Sequence, residues 1–474
     1  MNKLLSLAFC GLVATNLIAA EPAITTIPAS ALETAASLRE RALAGSGAYE
    51  LVESLTTEVG ARMAGTPGDA RGVAWAKEKF RALGFDRVTA QPVTYPVWRR
   101  GREHAEILAP FPQPLLLTLL GGSVGTAGVL KAEVIEFATL QALIDAPAGA
   151  ARGKIAYIAN RMQRHQDGRG YGPAVAARST GASEAAKHGA RALLIRSIGT
   201  DSDRLPHTGT MRYEEGVARI PAAALSNPDA DLLSSMLKRG KPVRIHLELV
   251  ADMGGEYTSA NVIGEIRGRE RPNEVVIIGG HLDSWDLGTG AIDDGAGVAI
   301  AMAAGALIGS LPEAPKRTIR VIAYANEEQG LYGGKTYAAA HAHEVKQHLI
   351  AAESDFGAGR IYGFNSNAPA HARAALLQIA AVLEPLGIEY LPARGGAGPD
   401  LGPMVEQGMS WAWLGQDGGD YFDWHHTAND TLDKIEPAAL DQQVAAYAVF
   451  AYLAAEADGD FGSAPVAPAP VPSK

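Results

Sequence analysis

The chain is poor in cysteine, in aromatic residues and in clustered positive charge. Its one cysteine among 474 residues is Cys10, close to the amino terminus and inside an apolar leader. Without that leader no thiol is left, which excludes disulfides, cysteine zinc sites and thiol nucleophiles. Any metal must be held by histidine and carboxylate. Lys and Arg number 42 against 52 Asp and Glu, a formal net charge of -10. No basic run occurs, and phosphate binding needs a concentrated basic surface, so nucleic acid is not an expected partner. Long apolar runs are scarce as well. The run Leu4 to Ala19 follows Asn2 and Lys3 and ends in Ala19-Ala20 before Glu21, the layout of a secretory signal peptide. It is short for a membrane span, and no later segment reads as one. The protein is expected to be exported, to the periplasm or beyond, without stable membrane insertion. Phe9 and the short apolar stretch before Cys10 argue against lipid attachment.

What is present divides the chain. At 474 residues two or more domains are expected. Leu32, Leu38, Leu43, Leu51, Leu55, Ala74, Phe80 and Leu83 recur at helical spacing, broken by the turn-rich GARMAGTPGD at 60–69. Short strands follow at Arg87–Val93 and His104–Leu108. After GGSVGTAG, 121–128, the texture changes to short strands at Val129–Phe137, Lys154–Ile158, Ala192–Ile195, Ile220–Leu225 and Val243–Leu249, with one helical piece at Ser183–His188. Beyond residue 255 apolar strands at 275–278, 319–325, 348–352 and 409–414 alternate with helices such as 296–308 and 371–384. The expected fold is α/β: a mixed, mostly parallel sheet with helices on both faces, plus an inserted β-rich domain at 121–250. The main domain takes 21–120 and 251–462, the signal peptide 1–20, and SAPVAPAPVPSK, 463–474, is an unfolded or extended tail.

Each apolar strand after residue 255 stops at polar side chains. The first ends at Gly280-His281-Leu282-Asp283, the second at Asn326-Glu327-Glu328, the third at Glu353-Ser354-Asp355, and the fourth leads through a glycine-rich loop to Trp424-His425-His426-Thr427. The crevice beyond the carboxyl ends of the strands is where open α/β sheets bind ligands. Several carboxylates in one crevice repel one another and resist desolvation unless a positive charge neutralises them. No lysine or arginine neighbours them in sequence. Histidine mixed with carboxylate suits zinc best, then cobalt or manganese, whereas calcium and magnesium prefer oxygen alone. The donors outnumber what one tetrahedral zinc uses, which points to two metals sharing a carboxylate.

The set GGHLDSW, GAIDDGAG, AYANEEQGLYGG, ESDFG and YFDWHHTANDTLDKI resembles the di-zinc exopeptidases, in particular their plasma glutamate carboxypeptidase (carboxypeptidase Q) branch. The likeness spans nearly the whole mature chain, with VGARMAGTPG near its start and a protease-associated domain as the insert. It implies two zinc ions per chain: His281 and Asp355 as ligands of one, Glu328 and His426 of the other, Asp293 bridging both. It implies a cis peptide at Asp293-Asp294, Glu327 as general acid/base toward a water shared by the zincs, and Asp283 orienting the imidazole of His281. His426 is chosen over His425 because it directly precedes Thr427. Asp286 is left to cap or turn the loop and Asp294 to shape the bend. Where related aminopeptidases carry Ser-Asp-His, this chain has Gly398-Pro399-Asp400-Leu401, so substrate contacts do not transfer.

The resemblance implies a zinc-dependent exopeptidase acting on dipeptides or short peptides, as a carboxypeptidase or dipeptidase, with an aminopeptidase as the alternative. Gripping a free carboxylate needs a cation, for which Arg394 is a candidate; gripping a free amine needs a spare carboxylate, such as Asp400 or Asp420. Pro206-His207-Thr208-Gly209 in the insert is a candidate to reach over the cleft. A catalytically silent receptor domain would have lost the ligands, and a one-zinc glutaminyl cyclase would lack the insert. A peptide substrate is the expected partner, and a homodimer is the one assembly left open.

Overall fold

A computed structural model describes residues 23–462; the signal peptide and the proline-rich tail lie outside the described residues. Fourteen strands follow one another as β1 (Arg87–Ala109), β2 (Gln113–Leu115), β3 (Leu117–Leu119), β4 (Leu130–Phe137), β5 (Ile155–Ile158), β6 (Ala192–Arg196), β7 (Ala222–Leu225), β8 (Arg244–Ile266), β9 (Arg271–His281), β10 (Arg317–Tyr324), β11 (His348–Glu353), β12 (Ile361–Ser366), β13 (Glu389–Tyr390) and β14 (Ala412–Gln416).

β9 shows why its apolar run is unbroken. Val276 and Ile278 face the helices Ala296–Gly309 and Pro437–Glu456, and Val275 and Ile277 face the opposite side, with Tyr337, Leu401 and Met404. A strand buried on both faces has no polar face to alternate with. β10 and β11 lie parallel to β9 on either side, so the three release their chains at the same edge. Both of those helices are almost wholly buried. Residues 291–309 are long and apolar enough for a membrane span, contrary to the expectation that no segment after the leader is, but 89% of that stretch is buried inside the protein; it is core.

The insert is less separate than its composition suggests. One 11-stranded sheet runs β11-β9-β10-β8-β4-β5-β6-β7-β3, with β1 and β2 off that path. β8 belongs to both halves, antiparallel to β10 at one end and to β4 at the other. The short strands expected at 87–93 and 104–108 are one 23-residue strand, paired with β8 along almost its whole length. Its middle, Arg99–Arg102, is charged where an apolar alternation would need buried hydrophobic side chains, so no such alternation marks it. Parallel β4, β5, β6 and β7 enclose a core of their own, with Leu130, Ile155, Tyr157, Leu194 and Leu225. A second correction concerns 409–414. That stretch supplies β14, which pairs antiparallel with β12 in a separate three-stranded sheet and is linked to β11 by an Ala351–Trp411 bridge.

The helix after β9 is packed so closely that it requires glycine. A Cβ on Gly297 would lie 1.9 Å from the carbonyl oxygen of Ser354 and 2.4 Å from Asp294 Oδ1. Gly297→Ala should therefore destabilise the fold by about 3 kcal/mol or more, read as a fall in thermal midpoint; an unchanged midpoint would refute this packing.

Candidate metal centre

His281 is the last residue of β9, Glu327 and Glu328 follow β10, and Asp355 follows β11 by two residues. His425 and His426 come after the short helix Tyr421–Trp424. The three parallel strand ends thus deliver their polar residues to one crevice, as the Gly-His-Leu-Asp, Asn-Glu-Glu and Glu-Ser-Asp pattern predicts. The backbone is unusual here: Asn326, Leu331 and His426 all have left-handed φ, at 52°, 58° and 62°. Such conformations cost energy and persist only where their surroundings enforce them. The Asp293-Asp294 peptide is cis.

Asp293 lies between two histidines. His281 Nε2 is 3.1 Å from Asp293 Oδ1 and 3.5 Å from Asp355 Oδ1. On the other side His426 Nε2 is 3.2 Å from Asp293 Oδ2 and 3.0 Å from Glu328 Oε2. His425 stacks on His426 with ring centres 3.5 Å apart, and its Nε2 is 3.8 Å from Asp293 Oδ2. His425 thus also comes near Asp293, but it has no contact equivalent to that of His426 with Glu328. Asp293 Oδ2 and Glu328 Oε1 are buried without a hydrogen-bond partner. Orphaned buried carboxylate oxygens facing imidazole nitrogens are what a zinc site requires of its donors, so this set fits the metal inferred from sequence.

The electrostatics show an excess of negative charge. Burial opposes a charge on His281, yet Asp283, Asp293 and Asp355 outweigh it and hold its pKa well above the ordinary value. The same balance, through Glu328 and Asp293, raises His426 to about 9. Burial also works against ionised Asp293, but the two imidazoles keep it well below the usual carboxylate range. Glu327 is pushed well up by burial, which together with Asp355 and Glu328 outweighs the lowering effect of His281. Burial and the proximity of His426 hold His425 neutral.

Supporting groups hold the loops. Asp283 accepts from the backbone N–H of Glu327 at 3.0 Å and of Glu328 at 3.4 Å. Its carboxylate is 3.7 Å from His281 Nδ1, and the closer partner of that nitrogen is its carbonyl oxygen, at 3.0 Å. Asp294 accepts from the N–H of His281 and of Gly297, both at 3.0 Å. Asp286 sits in the bend at 286–288, where its side chain pairs with Arg100 at 3.0 Å. Trp285 donates to Glu328 at 2.5 Å. Arg62, fully buried, donates to the carbonyl oxygens of Gly60, Leu282, Thr289 and Gly290. Sequence reading missed Arg62, whose partners lie more than 200 residues away apart from Gly60; its position in ARMAG was the only signal.

A cavity of about 620 Å³ opens over the centre, lined by Asp293, Glu327, Glu328, Asp355 and both histidines, and also by Tyr171 and Arg178 from the insert. The 206–209 segment bonds the backbone of both histidines without lining the cavity: Thr208 N–H donates to His426 O at 3.0 Å, and His207 Nδ1 is 2.7 Å from His425 O. Arg394 and Asp420 are exposed and do not line this cavity, and Asp400 is buried behind Pro399. A larger recess, about 710 Å³, is lined by Val275, Thr318 and His348 near the amino ends of β9, β10 and β11; α/β sheets do not usually bind ligands there. His104, Glu106 and His246 form another imidazole–carboxylate group, on the wetter face of β1 and β8.

A profile of peptidase family M28 matches residues 261–451. Carboxypeptidase Q of Mus musculus is 35% identical over 411 residues, covering 86% of each chain. The crystal structure of a peptidase M28 precursor from Shewanella amazonensis SB2B superposes with a TM-score of 0.88 at 53% identity, covering 94% of this chain and 99% of that one. A zinc aminopeptidase from Bacillus subtilis shares the fold, with a TM-score of 0.61 at 21% identity over 85% of this chain and 94% of that one.

Because the Asp283 carboxylate fixes the backbone of Glu327 and Glu328 and lies beside His281, Asp283→Ala should weaken zinc binding roughly 10- to 100-fold. Competition with a chelator measures this; unchanged affinity would remove Asp283 from the support of the site.

Proposed function

The chain belongs to peptidase family M28, and on that premise we propose that it is an exported, zinc-dependent exopeptidase that hydrolyses dipeptides or short peptides. The observation that carries this reading is the sharing of Asp293 between two imidazole–carboxylate pairs, with oxygens at 3.1 and 3.2 Å from the two histidines. His281 and Asp355 would hold one zinc, Glu328 and His426 the other, and Asp293 both. Two zinc ions there supply Lewis acidity toward the scissile carbonyl and toward water.

Glu327 is the proposed acid/base. It lines the cavity beside the ligands, and its backbone is fixed through Asp283. Burial and neighbouring carboxylates raise its pKa, which would make its carboxylate a better base toward water and its protonated form the donor to the leaving amine. Residues 121–250 act in this reading as an inserted unit that roofs the cavity and limits it to short peptides. The leader at 1–20 supports export, and a peptide rather than a nucleic acid or a bilayer is the partner.

An aminopeptidase is the second reading. A smaller recess of about 200 Å³ shares Asp355, Phe356 and Pro399 with the main cavity and is lined by Asp167 and Glu353. Carboxylates in that position suit a free ammonium.

Glu327→Ala should lower kcat by roughly 10³-fold with two zinc per chain retained. Turnover by the metal-replete variant at the wild-type rate would remove Glu327 from the chemistry.

A further inference from the structure

Among the described residues three groups of histidine and carboxylate donors lie close enough together to hold a metal ion. Two of them share Asp293 and belong to the centre described above. The third, His104, Glu106 and His246, lies on the ribbon of β1 and β8 and shares no residue with that centre.

Its geometry follows from strand pairing. His104-Ala105-Glu106 and His246-Leu247-Glu248 run antiparallel, with Glu106 opposite His246 and His104 opposite Glu248. Side chains two apart on a strand share a face. Ala105, Ile107, Ile245 and Leu247 belong to the core of the insert, so both histidines and both glutamates stand on the other face. Directly opposed side chains in an antiparallel pair have Cβ atoms about 5 Å apart, and diagonal neighbours remain within reach of an imidazole. The ribbon is held here from both sides: β2 pairs with β1 at Glu106, and β4 pairs with β8 at His246. The donors therefore start from a fixed backbone and need only side-chain rotation to close on an ion.

The four side chains are not equally free. Glu248 is engaged by Arg102. Glu106 has no lysine or arginine in ion-pair contact among the described residues, and its Oε1 lies 3.3 Å from His246 Nδ1. Lys131, opposite His246 on β4, is exposed. The His104 ring meets that of His246 edge to face, with centres 5.1 Å apart, and donor atoms of His104, Glu106 and His246 all lie within 4.8 Å of one another. Two ligands each about 2.1 Å from a tetrahedral zinc stand about 3.4 Å apart, close to the separation already present between Glu106 and His246.

A neutral His246 fits this place poorly. Its Nε2 is buried with no hydrogen-bond partner. With the ring proton on Nδ1, Nε2 is a buried acceptor without a donor; with the proton on Nε2, the Nδ1 lone pair faces a carboxylate. A cation seated on Nδ1 and Oε1 turns that repulsion into coordination. Two imidazoles and one carboxylate suit zinc better than calcium or magnesium, which prefer oxygen alone.

We propose that His104, Glu106 and His246 form a further zinc site, with water in the fourth position, that clips β1 to β8 where the ribbon enters the insert. It is independent of the centre at Asp293 and of the peptidase reading. His104 is exposed and is ordered on binding, so this site fills only at higher free zinc than the buried centre.

Equilibrium dialysis of the full chain against rising zinc chloride, with bound metal counted per chain, tests this. Wild type and Glu248→Gln should take up one ion more than His104→Gln or His246→Gln, whatever number the Asp293 centre holds. Wild-type crystals soaked in zinc should show an anomalous peak between the two strands, absent from crystals of His104→Gln. His104 is exposed on a strand surface, so that variant keeps its fold whether or not the site exists. An equal count in wild type and both histidine variants, or a peak that persists without His104, would overturn the site. Uptake of the His104-dependent ion by a protein that holds none at Asp293 would leave this site standing and contradict the peptidase reading.

Discussion

The structure is organised around a repulsion. Asp293, Glu327, Glu328 and Asp355 converge in one buried crevice, with two imidazoles against them. The imidazoles of His281 and His426 face that charge, but oxygens of Asp293 and Glu328 remain unpartnered. Cations held by the imidazole nitrogens and carboxylate oxygens together, as proposed, would satisfy all of these groups at once. Much of the surrounding structure serves to hold this unfavourable set in place. Asp294 ties the end of β9 to the helix that follows it, Asp283 ties the loop after β10 to β9, and Arg62 gathers the carbonyls of the intervening loop. Glycines 280 and 297 admit the Asp294 carboxylate, which a side chain at either would strike.

The same constraint explains how the two halves of the molecule are joined. Here the ribbon of β1 and β8 extends the central sheet into the insert. The insert returns over the crevice and bonds the backbone of both histidines through His207 and Thr208. Those bonds hold His426 in its left-handed conformation and bring Tyr171 and Arg178 to the cavity wall. The cavity wall and residues 206–209 therefore share the His425-His426 segment, and movement of one disturbs the other.

How much of this could be read from sequence follows from the range of each interaction. The strands at 275–278, 319–325 and 348–352 were legible because burial on both faces writes a continuous apolar run, and the residues ending those runs are the ones that meet. The β1 and β8 ribbon was not, since its charged middle pairs strand to strand through backbone bonds that leave no side-chain pattern. Asp286 was read as a local turn residue because its partner, Arg100, lies 186 positions away. Arg394 was nominated for a carboxylate grip by its place before two glycines, and it faces solvent. Local pattern reports burial and chain direction, while charge pairing across the fold appears only once the chain is folded.

Anomalous diffraction from crystals of the purified, zinc-loaded protein, recorded on both sides of the zinc edge, addresses the shared carboxylate directly. Two zinc peaks should flank Asp293, one against His281 and Asp355 and the other against His426 and Glu328. A single peak, or zinc density that leaves Asp293 untouched, would contradict the account.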